Sequence, residues 1–161
     1  MRRLIPLVLL ALVVVPSATA AQFSFNILTS SPLNTAVTLN GDDQTTSFTI
    51  DTEVNSSNGN KAGWKVQASA TTPTFGSYTL PALVVTGGSF TCLGGCSSNP
   101  APTGVSYPIT LGAATQTIYN AGAATGTGDF DIANTFQLTV PASTIKGTYS
   151  STVTLSGSTG P

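Results

Sequence analysis

The side chains that could do chemistry in this chain are few, and one kind is missing: none of the 161 residues is histidine. Catalysis of the Ser-His-Asp or Cys-His kind needs an imidazole to take a proton and return it, so that class is excluded. Carboxylates remain. Asp51 and Glu53 are two apart, as are Asp129 and Asp131, so each pair lies on one face of an extended strand. Two carboxylates suffice for glycoside hydrolysis. Both pairs, however, occupy the polar positions of alternating segments, where water keeps acids ionised. We therefore expect a solvated face rather than a catalytic dyad. A calcium ion on Asp129 and Asp131 is the better functional alternative, but the dense oxygen-ligand spacing of an EF-hand loop is lacking. A Ser-Lys pair would need a desolvated lysine. Lys65 alternates outward, and Lys61 and Lys146 adjoin turns, so all three are expected in water. The chain is thus read as no enzyme, with no catalytic residue, metal ligand or cofactor.

Two residues have covalent chemistry of another kind. Cys92 and Cys96 flank Leu93-Gly94-Gly95, and the two glycines allow the tight reversal that so short a ring requires. A metal site would need further thiols or imidazole. A disulfide is the expectation, contributing only about 2 kcal/mol because the ring is small. It pins a loop and does not hold the domain together.

An oxidising compartment follows from the N-terminus. Arg2 and Arg3 form a basic start, Leu4 to Val15 an apolar run, Pro16 breaks it, and Ala18-Thr19-Ala20 is a small-residue cleavage site. Residues 1–20 read as an export signal, which places the mature chain outside the cytoplasm, secreted or on the cell surface. No second apolar stretch follows to anchor it in a membrane. Without the signal, Lys61, Lys65 and Lys146 face six carboxylates, a net charge of −3. So few cations cannot neutralise a row of phosphates or an anionic lipid surface, which argues against both as partners.

Period-two alternation governs the rest, and no helical stripe is found. Strands are expected over Phe23–Ile27, a short stretch that Val37 and Leu39 end before the turn Asn40-Gly41-Asp42-Asp43, and then Phe48–Val54, Gly63–Ala70, Tyr78–Thr86, Val105–Leu111, Thr115–Tyr119, Asp129–Ile132, Phe136–Val140 and Thr148–Leu155. Asn58-Gly59-Asn60 supplies a hairpin turn, and Cys92 to Gly104 reads as a loop. About nine short strands with turns every ten residues or so predict an all-β, antiparallel β-sandwich, a single domain from residue 22 to 161. Trp64, the one tryptophan, shares a face with Val66, Ala68 and Ala70 and is expected in the core.

Gly63-Trp64-Lys65-Val66-Gln67-Ala68-Ser69 resembles the first motif of the WxL-domain surface proteins of Gram-positive bacteria. Ala121 to Gly128 resembles that family's small-residue stretch, and Leu138-Thr139-Val140-Pro141-Ala142 its apolar strand ending in proline. Gly147 to Val153 resembles its distal tyrosine motif. The resemblance spans nearly the whole mature chain in the right order. It implies an exported β-sandwich that holds non-covalently to cell-wall peptidoglycan, with companion surface proteins as further partners. Trp64, Val66, Tyr149 and Val153 stand at the motif positions and are the implied wall-binding residues. Val66 and Val153 replace the usual leucine, and Leu155 stands where a second tryptophan is expected. The function expected is therefore non-enzymatic binding to wall polysaccharide. The alternative is a structural or adhesive subunit that assembles with partner proteins through strand edges.

Overall fold

Alternating β-branched, aromatic and small polar residues become strands almost everywhere. The computed structural model of the chain describes residues 8–14, 23–31, 33–57, 62–97 and 100–160. Among them the elements in order are β1 (Val8–Val14), β2 (Phe23–Ile27), β3 (Leu33–Thr35), β4 (Gln44–Ser56), β5 (Trp64–Ala70), β6 (Thr74–Phe75), β7 (Tyr78–Thr79), β8 (Val84–Gly94), β9 (Ile109–Thr110), β10 (Gln116–Ala121), β11 (Gly128–Val140) and β12 (Ser150–Thr159). There is no helix among the described residues.

Two sheets pack face to face. One, sheet A, has the order β10-β5-β12-β1-β3, with the β6–β7 hairpin joined to β12 where Ser150 pairs with Thr74. The other, sheet B, has the order β2-β4-β11-β8-β9. Every pairing is antiparallel except that of β1 with β12. The chain is the all-β sandwich that its alternation predicts.

Inward positions fill the space between the sheets. Sheet A contributes Trp64, Val66 and Ala68 from β5, Val153 and Leu155 from β12, and Ile118 and Tyr119 from β10. Facing them are Ile50 and Val54 of β4 and Phe130, Ile132, Phe136 and Leu138 of β11. At about 1.5–3 kcal/mol per large apolar side chain removed from water, this layer is the main source of stability.

Several elements differ from expectation, each for a local reason. Asp129–Ile132 and Phe136–Val140 are one strand, β11, because Asn134 between them finds partners inside the sandwich. Its Nδ2 reaches Ile50 O, Thr52 Oγ1 and Ile132 O at 3.3–3.4 Å. The expected strand Val105–Leu111 shortens to β9, because Pro108 has no N–H to give a ladder. Cys92 lies in β8 rather than in a loop, since β8 stays paired with β11 as far as Gly94 opposite Asp129. The early strand falls at β3, and Val37 and Leu39 pack on the core outside any strand. Val8–Val14, read as part of the export signal, is a strand here. The expected turn Asn58-Gly59-Asn60, Lys61 and the Ala18-Thr19-Ala20 cleavage site lie outside the described residues.

Candidate functional site

The two motif residues of β5 point inward, and Trp64 closes one end of the core. Its indole stacks on Tyr119 at 5.8 Å between centroids and meets Phe130 of the opposite sheet at 6.2 Å. A buried indole N–H needs an acceptor. Trp64 Nε1 donates to Gly126 O at 2.8 Å. The small-residue stretch is what lets the backbone come this close. Gly126 has a φ of +69°, and a methyl added there would sit 2.5 Å from Nε1. Gly63, just before the tryptophan, has a φ of +75°, and its added methyl would fall 2.3 Å from Ala121 O. The Gly-Trp pair and the glycine-rich stretch are therefore one device, a lid folded over an aromatic plug.

Val66 and Val153 are fully buried and Tyr149 nearly so. Tyr149 donates its hydroxyl to Ile145 O at 2.9 Å and packs against Phe75. The four motif residues thus face inward, at two ends of the molecule: Trp64 at one, Tyr149 at the other, with the valines between them. They build the sandwich, and the residues that alternate with them along β5 and β12 face outward.

Those outward residues form a platform on sheet A that is uncharged except for Lys65. Lys65, Gln67 and Ser69 of β5 lie beside Ser158, Ser156 and Thr154 of β12. On the other side of β5, Thr117 of β10 pairs with Gln67. One row therefore reads Thr117, Gln67, Ser156 across three strands. Asn120, farther along β10, leans instead on the loop beside it, with Nδ2 donating to Thr103 O at 2.9 Å. Hydroxyl and amide groups in such rows both give and accept hydrogen bonds, and Lys65 is the single cation among them.

Sheet B carries the acids on its outer face. The two predicted pairs lie on neighbouring strands, and the register brings them together: Asp131 is directly opposite Glu53, and Asp51 is opposite Ala133. Asn26 of β2 donates through Nδ2 to Glu53 Oε2 at 3.0 Å. Burial, and then Asp51 and Glu53, raise the Asp131 carboxyl above its ordinary range; burial and then Glu53 do the same for Asp129. One oxygen of each is enclosed without a partner. The acids stand side by side on one sheet face, not across a cleft from each other. No group of three His, Cys, Asp or Glu among the described residues is arranged to hold a metal ion.

Cys92 and Cys96 form the expected disulfide, with Cα atoms 6.1 Å apart. The loop it closes lies on the start of β11, where a methyl on Gly128 would come within 2.7 Å of Cys96 Cα.

Sequence reasoning missed an exposed ledge beyond the end of β5. Phe75 and Tyr78 pair across the β6–β7 hairpin and are 39% and 48% exposed, with Ile145 nearby in sequence to Tyr149 at 48%. The signal was there in Phe75-Gly76-Ser77-Tyr78, two aromatics around a turn-forming glycine.

A search among protein families, curated proteins and solved structures finds no match to this chain.

Proposed function

We propose that the chain is an exported, non-enzymatic cell-surface module that adheres to wall polysaccharide, peptidoglycan above all, through the outer face of sheet A. The observation that carries this reading is the Thr117–Gln67–Ser156 row and its flanking Ser69, Thr154 and Ser158. A polymer of neutral sugars is held by many hydrogen bonds to hydroxyls and amides, and such a face provides them without counter-ions to release. The resemblance of the Trp64 and Tyr149 motifs to WxL-domain proteins supports the same assignment. In this reading Trp64, Val66, Tyr149 and Val153 act as positioning residues: their inward packing flattens and fixes the strands whose outward side chains meet the sugar.

The absence of histidine from the chain, and the side-by-side placement of its acids, favour adhesion over turnover. A second reading, a subunit that assembles through strand edges, is favoured by the lack of charge along β10 and β3, the two edges of sheet A, since edges are usually guarded by lysine or proline.

The test is sedimentation with isolated cell walls. The purified protein should pellet with walls, and Gln67→Ala with Ser156→Ala should lower the pelleted fraction while the thermal midpoint stays put. Absence of pelleting removes the polysaccharide reading. Release of soluble sugar, lost in Asp131→Asn, would establish a hydrolase instead.

A further inference from the structure

The place of Val8–Val14 in sheet A has a consequence beyond wall adhesion. β1 lies between β12 and β3, parallel to the first and antiparallel to the second. Its register runs from Leu9 opposite Ser150 to Val14 opposite Leu155. β3 has no other strand neighbour, so β1 alone ties it into the sheet. Yet Val8–Val14 falls inside the segment whose sequence reads as a removable leader. If it leaves, one edge of β12 is uncovered.

The hydrogen bonding of β12 defines that edge. Thr152 spends both backbone groups on the β5 side: its carbonyl accepts from Thr71 N at 2.9 Å, and its N–H donates to Thr71 Oγ1 at 2.8 Å. Strand geometry then turns the N–H and C=O groups of Ser151, Val153 and Leu155 the other way, towards β1. These three residues also have their side chains in the core. An open edge here would expose backbone polar groups beside the apolar interior, a poor arrangement in water.

We propose that the seat of β1 is an acceptor slot. Once the leader is removed, an uncharged, apolar extended segment of a partner polypeptide takes its place, parallel to β12 and antiparallel to β3. The present occupant states the chemistry: Val-Leu-Leu-Ala-Leu-Val-Val has no charge, no proline and no glycine. The slot is at least six register positions long, from Ser150 to Leu155. The flanking strands bring no charge, since β3 is Leu-Asn-Thr and β12 is Ser, Thr, Val, Leu and Gly throughout. Backbone bonds to β12 would supply affinity, and the requirement for apolar residues at alternate positions would supply selectivity. The inference rests on the leader reading, and it gives the assembly alternative a defined acceptor.

The experiment starts from the full chain with a specific protease site inserted between Ala20 and Ala21. The chain is cut, the leader is removed, and amide hydrogen exchange is followed at Ser151, Val153 and Leu155. The probe is a synthetic peptide of residues 8–14 with flanking lysines for solubility; the control carries Leu10→Asp and Leu12→Asp. Removing the leader should speed exchange at the three amides, and the apolar peptide should slow it again by roughly tenfold, the effect of about one hydrogen bond. The aspartate peptide should have no effect. Should the cut leader stay seated, its replacement by a fluorescent copy is the readout. Three results overturn the proposal: amides that stay protected after the leader is gone, because β3 has closed on β12; no protection from the apolar peptide; or a seated leader that cannot be replaced. If the cut chain unfolds, the uncut chain with Leu12→Asp decides. Protection should fall at the three amides with Trp64 emission unchanged, and unchanged protection overturns the slot. The mass of the protein recovered from the producing cells tests the leader reading on its own.

Discussion

Replacing Trp64 tests whether the residue shapes the core or, on the proposed wall-binding reading, touches the sugar. Truncation to alanine removes the plug between Tyr119 and Phe130 and leaves Gly126 O without its 2.8 Å donor. A buried Trp→Ala change costs about 3–5 kcal/mol, and an orphaned buried carbonyl costs about 1–3 kcal/mol, part of which is already in that range. Against a total of about 5–15 kcal/mol for a domain, Trp64→Ala removes a large share of stability. Trp64→Phe keeps an aromatic in the stack and loses mainly the N–H bond and some ring area, about 2 kcal/mol. Gly126→Ala should resemble the alanine variant with Trp64 itself kept, because the added methyl would fall 2.5 Å from the indole Nε1. Urea unfolding followed by far-ultraviolet circular dichroism is the assay, since the tryptophan signal is lost with the residue. With a slope of about 1–3 kcal/mol per molar urea, the midpoint should fall by about 2 M for Trp64→Ala and by about half that for Trp64→Phe. Wall pelleting should fall only in proportion to the unfolded fraction. A Trp64→Ala protein with an unchanged midpoint that fails to bind walls would refute the reasoning, because Trp64 would then be a contact residue.

Three other outcomes follow from particular groups. Asp131 is held above its ordinary range by burial, Asp51 and Glu53, so the folded state keeps its proton longer than the unfolded chain. Its contribution to stability is therefore full below about pH 4 and is lost as pH rises past that value. Asp131→Asn should match the wild type in acid and melt at a higher temperature near neutrality, and equal melting at both ends would contradict the origin of the shift. Burial raises Tyr107, and burial followed by Tyr107 raises Tyr119, whose hydroxyl donates to Pro100 O at 2.6 Å. The unfolded chain ionises near about pH 10 while these two stay protonated, so alkaline pH should unfold the protein. In a spectrophotometric titration both should ionise together with the loss of far-ultraviolet ellipticity, and ionisation in a still-folded protein would contradict their burial. Reducing Cys92–Cys96 should lower stability by at most about 2 kcal/mol and loosen mainly the 95–97 loop. Global unfolding on reduction, seen by circular dichroism, would mean that the small ring does far more than pin a loop.

What the sequence made legible was whatever period-two alternation encodes. Trp64, Val66, Ala68 and Ala70 share the buried face of β5 as their spacing requires, with Lys65, Gln67 and Ser69 turned outward. The acids of β4 and β11 turn outward for the same reason. Relations between distant strands were not legible. Nothing local places Asp131 opposite Glu53; that register is set by the pairing of two thirteen-residue strands. The expected strands Asp129–Ile132 and Phe136–Val140 left residues 133–135 between them, and it is the partners of Asn134 Nδ2 on Ile50, Thr52 and Ile132 that carry β11 through this stretch. The Phe75–Tyr78 ledge was not legible because Tyr78 read as the start of one strand to Thr86, where the chain instead forms the two-residue strands β6 and β7 and begins β8 at Val84. The role of the Gly126 backbone was hidden too, since its closeness to Trp64 spans 62 positions of sequence.

The outer face of sheet A is the centre of this account, and amide chemical-shift mapping with soluble wall fragments tests it directly. Titration should move the resonances of Gln67, Ser69, Thr154, Ser156 and Ser158 while leaving those around Phe75, Tyr78 and Asp131 in place. Shifts gathered at the Phe75–Tyr78 ledge or on the acidic face of sheet B, or no shifts at any fragment concentration, would contradict it.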